Sequence, residues 1–108
     1  MPSNILIKYS NEEKTSFDSV LTDYGISKEY GEDNLLNGCI GNLNYMAPEV
    51  FSGKEYKNNC DLFNIGVTIY YLYFGKFPFN RKFINSKTNI NIKIDEDKQL
   101  EDLLIKLL

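Results

Sequence analysis

Residues 61–75 read Asp61-Leu62-Phe63-Asn64-Ile65-Gly66-Val67-Thr68-Ile69-Tyr70-Tyr71-Leu72-Tyr73-Phe74-Gly75, and this stretch decides the fold. Asp61 suits a helix N-terminus, where a carboxylate accepts orphan backbone N–H groups. Gly75 ends the helix and Pro78 prevents its resumption. Between them, over about 61–74, apolar side chains fall nearly all the way round, which predicts a central helix buried on every side. The longest apolar run, residues 65–74, is about half of the roughly 20 residues needed to span a bilayer, so no membrane segment is expected.

Upstream of this helix, residues 47–51 can form one or two helical turns before Ser52 and Gly53 stop them, and a polar stretch through Asn58 and Asn59 follows. From residue 25 to 43, Gly, Asn and charged residues surround isolated apolar ones and match neither period. That pattern reads as a long loop, and loops of this length are usually functional or disordered. At the N-terminus, Ile5, Leu6 and Ile7 form one short apolar run and residues 19–22 a second, two short strands joined by a solvated connection over 10–16 that carries Asn11, Glu12, Glu13 and Lys14. Downstream, Ile90, Ile92 and Ile94 alternate with Asn89, Asn91 and Lys93, an extended segment that reads as a weak edge strand. From about Asp95, Leu100, Leu103, Leu104 and Leu107 recur at i, i+3, i+4 and i+7, and Asp95, Glu96 and Asp97 cluster where a helix dipole favours acids. The last element is therefore an amphipathic helix. The fold class is mainly α with a short β-hairpin, an α+β arrangement.

Composition narrows the function classes. The chain has 108 residues, which at the usual domain size is about 0.7 of a domain, one small domain or a piece of a larger one. With 43% hydrophobic, 25% charged and 14% aromatic residues it builds a packed core rather than a disordered ensemble. A net charge of -3, a pI near 4.9 and scattered basic residues argue against nucleic acid and against a polybasic membrane patch. Cys39 and Cys60 form no C-x-x-C pair, and no histidine is present to complete a zinc site. Free thiols in a reducing compartment follow, with Cys39 read as a small-residue filler in preference to a redox-sensitive thiol. The N-terminus has no basic region followed by an apolar stretch, so an intracellular, cytoplasmic location is expected.

Four patterns stand in a fixed order: Pro2-Ser3-Asn4-Ile5-Leu6-Ile7, Asp23-Tyr24-Gly25, Gly41-Asn42-Leu43-Asn44-Tyr45-Met46-Ala47-Pro48-Glu49 and Asp61-Leu62-Phe63-Asn64-Ile65-Gly66-Val67. Together they resemble the C-terminal lobe of a eukaryotic protein kinase, where a catalytic loop closes on Asn, D-F-G follows a strand, and A-P-E precedes a buried helix. The resemblance covers nearly the whole chain and is closer to Ser/Thr kinases than to tyrosine kinases. It implies a partial kinase domain over 1–108, truncated at both ends, with the catalytic-loop end and hairpin over 1–23 and an activation segment over 23–49. The central helix and a C-terminal part over about 89–108 complete it. It assigns Asn4 and Asp23 as Mg²⁺ ligands, because phosphoryl transfer needs hard oxygen donors beside the triphosphate.

Further residues follow from the same resemblance. Tyr24, Gly25, Ser27 and Asn42 belong to the activation segment, with Tyr24 in place of the usual Phe. Tyr24 keeps the aromatic ring and adds a hydroxyl able to hydrogen-bond. Asn42 stands where Ser/Thr kinases generally have Thr, and the hydroxyl residues between Tyr24 and Ala47 are Ser27, Tyr30 and Tyr45. Tyr45, Met46, Ala47 and Pro48 would receive the protein substrate. Glu49, Asp61 and Gly66 are structural: in the family the first pairs with a downstream arginine and the second anchors the catalytic loop.

What the sequence lacks shapes the expected activity. A Gly-rich loop, a strand lysine and the H-R-D aspartate are not found in it. The base would fall five residues before Asn4, upstream of Met1, so no residue of this chain is assigned as catalytic. Met1 itself falls where the family's catalytic loop commonly has Lys, which fits an internal start as well as a true one. The chain alone is therefore expected to be inactive, with Mg²⁺ and ATP held by a complete kinase and neither bound tightly by this piece. The expected partners are a protein substrate, a partner kinase or a scaffold. Self-association is also expected through any helix face left bare. A pseudokinase-like binding module and a truncated gene product without independent function are the alternatives.

Overall fold

The computed structural model describes residues 1–29, 35–80 and 90–108. After one 3-10 turn over Pro2–Asn4, strands β1 (Ile5–Tyr9) and β2 (Phe17–Leu21) pair antiparallel, from Ile5 opposite Leu21 to Tyr9 opposite Phe17. Met1 precedes that turn and closes it, its carbonyl accepting the Asn4 N–H at 3.0 Å. Asn11 shapes the connection between the strands: its Oδ1 accepts the Thr15 N–H at 3.1 Å and the Ser16 N–H at 3.3 Å. This short side chain mimics a backbone turn, which is why Asn favours such positions. At the open end the Thr22 N–H donates to the Asn4 carbonyl at 2.9 Å. Leu6, Ile7, Phe17, Val20 and Leu21 are all exposed, so the hairpin stands with both faces bare.

Helix α1 (Pro48–Phe51) opens on a proline, whose fixed φ suits a first turn and whose missing N–H would have been an orphan there. Helix α2 (Asn59–Phe74) ends at Gly75, which takes φ 67 and donates its N–H to the Tyr71 carbonyl at 2.9 Å. Asp61 is not the cap that the sequence led us to expect. Turns at Lys57 and Asn58 accept the Cys60 and Asp61 N–H groups and start the helix two residues earlier, leaving Asp61 in the first turn.

A second expectation also fails in part. One side of α2 is buried through Cys60, Gly66, Val67, Thr68 and Tyr70, but Leu62, Ile65, Leu72 and Tyr73 are exposed on the other. Leu72 keeps 63% of its surface in water. The apolar girdle is thus covered along one stripe only.

Helix α3 (Lys98–Leu107) is capped by Asp97, whose Oδ1 accepts the Leu100 N–H at 2.9 Å, so it begins slightly later than Asp95. Leu104 is fully buried, and Leu100 and Leu108 pack beside it, whereas Leu103 is exposed. Residues 90–94 belong to no strand or helix among the described residues, though burial alternates along them. Their alternation has another cause: Ile92 and Ile94 are buried in one cluster with Tyr70 of α2 and Leu104 of α3. Asn89 lies outside the described residues. A separate cluster of Met46, Ala47, Val50 and Cys60 fixes α1 against the start of α2, with Tyr56 and Phe63 packed on it. No helix among the described residues is long and apolar enough to cross a membrane.

Candidate functional site

Nineteen positions separate Asn4 from Asp23, yet the hairpin returns the chain so that Asn4 Nδ2 donates to Asp23 Oδ2 at 3.4 Å. Ser3 Oγ donates to Asn4 Oδ1 at 3.3 Å, steadying the amide from the other side. Asp23 takes φ 66, a left-handed conformation that Asp tolerates better than most side chains. The residue after it closes the turn onto β2, for the Tyr24 hydroxyl donates to the Leu21 carbonyl at 3.1 Å. The Ser27 N–H then returns to the Tyr24 carbonyl at 2.9 Å.

An amide oxygen and a carboxylate are the hard donors that Mg²⁺ takes. Half a turn of the Asn4 amide would set its oxygen beside the Asp23 carboxylate, an approach of two acceptors that a cation stabilises. The pair therefore fits a magnesium ion.

Asn4 and Asp23 open onto a cavity of about 550 Å³, whose other walls include Met1, Ser27, Asn42, Tyr45, Met46, Ala47 and Asp61. Tyr24, Gly25, Pro48, Glu49 and Gly66 do not line it, and Tyr30 lies outside the described residues. Met1 lines the site as well, although sequence reasoning assigned it no site role and placed it only where the family's catalytic loop commonly has Lys. Its thioether Sδ accepts from Asn42 Nδ2 at 3.2 Å, a weak bond from a residue 41 positions away that ties the N-terminal turn to the far wall. Asn42 also shapes its own turn: its Oδ1 accepts the Asn44 N–H at 2.9 Å and its carbonyl the Tyr45 N–H at 3.0 Å. The cavity holds one unsatisfied group as well, since Asn64 Oδ1 is buried and has no donor among the described residues.

The wall formed by Tyr45, Met46 and Ala47 is anchored from two sides. Met46 and Ala47 belong to the buried cluster that holds α1. Tyr45 meets Phe77 edge-on at 5.3 Å, and Phe77 in turn stacks on Tyr71 of α2 at 4.7 Å. Burial first, and the neighbouring Tyr71 second, push the Tyr45 hydroxyl above its ordinary 10.0. Burial likewise raises the Cys60 thiol, with the nearby carboxylates of Asp61 and Glu49 adding to it. Gly66 has another role, since a Cβ there would lie 2.8 Å from Leu107 Cβ.

Besides Met1, two positioning residues escape sequence reasoning, Tyr56 and Phe77. Each is an aromatic set in a polar or turn-forming stretch, Tyr56 between Gly53 and Cys60 and Phe77 between Gly75 and Pro78. An isolated aromatic flanked by helix breakers is the signal that could have marked them, because such a ring is seldom left in a loop without a packing partner.

The family model described as Protein kinase domain matches residues 1–107. The chain is 36% identical over 97 residues to serine/threonine-protein kinase AtPK1/AtPK6 of Arabidopsis thaliana, covering 90% of this chain and 19% of that protein. It is 38% identical over 91 residues to serine/threonine-protein kinase YPK3 of Saccharomyces cerevisiae, covering 74% and 17%. With a probable myosin light chain kinase of Dictyostelium discoideum the identity is 44% over 59 residues, covering 55% and 19%. The chain spans about a fifth of the length of these relatives. With a family match that runs almost from end to end, this chain belongs to the protein kinase domain family.

Proposed function

We propose that this chain supplies the C-terminal-lobe part of a protein Ser/Thr kinase, in which Asn4 and Asp23 hold the magnesium of MgATP. The observation that carries this reading is the approach of Asn4 and Asp23 across the open end of the hairpin. Asn4 and Asp23 would hold the ion through hard oxygen donors, and its charge would offset that on the transferring phosphoryl group. The chain's own residues set the geometry. The Thr22-to-Asn4 hydrogen bond fixes the two donors relative to each other, and the Tyr24 hydroxyl fixes the turn that carries Asp23. Residues 23–49 act as the activation segment, and Tyr45, Met46, Ala47 and Pro48, held by Phe77 and the α1 cluster, receive the protein substrate.

The same reading makes the 108-residue chain inactive by itself. Its sequence contains no histidine and hence no H-R-D motif, so the base that positions the attacking hydroxyl is not supplied. Purified chain with magnesium, radiolabelled ATP and a general protein substrate is expected to give no labelled product. Labelled product that disappears in Asp23→Ala and Asn4→Ala variants would overturn the inactivity. Metal binding is read separately, by paramagnetic broadening of the Asn4 and Asp23 amides on adding Mn²⁺. Broadening that survives Asp23→Ala would remove the metal assignment.

A binding-module reading draws on a different observation, the bare stripe of Leu62, Ile65, Leu72 and Tyr73. Exposed apolar faces of this kind mark interaction surfaces. A pseudokinase-like module that engages another kinase or a scaffold through this stripe would lose its partner on charge substitution at Leu72, with Asn4 and Asp23 dispensable.

A further inference from the structure

Residues 36–40 lie outside every regular element, yet the chain is held there at several points. Leu36 and Tyr56 exchange both backbone hydrogen bonds, N–H to carbonyl in each direction at 2.9 Å. The Tyr56 hydroxyl then donates to the Gly38 carbonyl at 3.2 Å. Its ring packs on the cluster of Met46, Ala47, Val50 and Cys60. Next along the chain, Cys39 Sγ lies 3.4 Å from Met46 Sδ. Gly38 and Gly41 take φ of 100 and 120, conformations that let the backbone turn on either side of Cys39.

We propose that Tyr56 is a built-in latch that holds the activation segment against α1 and the start of α2 without a phosphate. The word activation rests on the function proposed above; the latch rests on its own contacts. A phosphate orders such a segment by gathering arginines around new negative charge. Residues 25–47 contain no threonine and no arginine, and Ser27 is the one serine among them. Among the described residues, the contacts that hold Tyr56 to the segment are two backbone hydrogen bonds, one from a phenol, and an apolar ring face, none of which needs a charged group. Burial first, then Cys60, Asp61 and Cys39, raise the phenol above its ordinary 10.0, so it remains a donor throughout the physiological range. Because the ring packs on the cluster that contains Met46 and Ala47, latching also fixes the wall of the cavity that Tyr45 continues.

Hydrogen exchange on the full chain, made without a kinase present and shown by intact mass to carry no phosphate, tests this directly. Wild-type Leu36 and Tyr56 amides are expected to be protected. Tyr56→Phe, which removes only the bond to Gly38, should speed their exchange about three- to tenfold, with the amides of α3 unchanged. Alkylation of buried Cys60 in a Cys39→Ser background should quicken with them, since the ring packs on the cluster that contains it. Unprotected Leu36 in the wild type, protection that appears only after phosphorylation, or equal acceleration in α3 would each overturn the latch. None of these readouts depends on whether Asn4 and Asp23 hold a metal, so failure of the latch and failure of the kinase reading are distinguishable.

Discussion

A Cβ on Gly66 would meet Leu107 Cβ at 2.8 Å and Leu108 Cδ2 at 3.0 Å, closer than packed carbons sit. The neighbour is the body of α3 rather than the tip of a flexible side chain, so relief requires the two helices to separate. Gly66→Ala is therefore expected to lower stability by about 1–3 kcal/mol, read as a fall in the urea midpoint. An unchanged midpoint would mean that α3 does not press on α2 at this point. Gly66 shows how far a single residue can be read from sequence. The family pattern marks it as structural, but the identity of the group that needs the space depends on a contact with Leu107, far along the chain, which no local period reveals. Asp61 shows the reverse case. Its type is right for a helix start, yet the hydrogen bonds to Lys57 and Asn58 begin the helix upstream, leaving Asp61 among the residues that line the cavity.

Among the elements, α3 has a stability that acid should reveal. The Glu101 carboxylate accepts the Ile94 N–H and pairs with Lys98 at 3.2 Å, and together these hold it below its ordinary 4.5. A carboxyl depressed on folding adds stability that is complete above its unfolded pKa and is lost as pH falls through its folded value. Urea midpoints of the wild type are expected to drop as pH falls below about 4.5. Glu101→Gln should be less stable at neutral pH, with the gap closing through that acid window. A gap that stays constant into strong acid would assign the effect elsewhere. Helix α3 was legible from its leucine spacing, since one face of a helix must meet a core, although Leu103 proved exposed. The Ile90, Ile92 and Ile94 alternation was not legible in the same way. Period two follows from any extended chain with one side buried, and here the burying surface is Tyr70 and Leu104 rather than a neighbouring strand.

For the whole molecule, the stripe of Leu62, Ile65, Leu72 and Tyr73 is the largest departure from expectation. An apolar helix implies cover on every side, and sequence periodicity cannot say whether this chain or another provides it. We expect the wild-type chain to self-associate in sedimentation at micromolar concentration. Leu72→Glu should weaken that association while moving the unfolding free energy by less than about 0.5 kcal/mol, as surface substitutions do. A compact wild-type monomer with a sharp melting transition would contradict this. The hairpin and the existence of the central helix were readable because their signals are local, and the family pattern singled out Asn4 and Asp23, which the hairpin brings within 3.4 Å. The Tyr56 contact with Leu36 was not, because one pair of backbone bonds between two irregular stretches leaves no pattern in either. Met1 on the cavity wall was illegible for the same reason, its tie to Asn42 being a single long-range contact. The hairpin has one more consequence. Asn4 and Asp23 sit at its open end, whereas the connection over 10–16 sits at the far end, roughly 17 Å away along five residues of strand. Chain length at that tip is thus decoupled from the spacing of Asn4 and Asp23, so a residue inserted between positions 11 and 15, or a reporter group attached there, should leave the register of the pair unchanged.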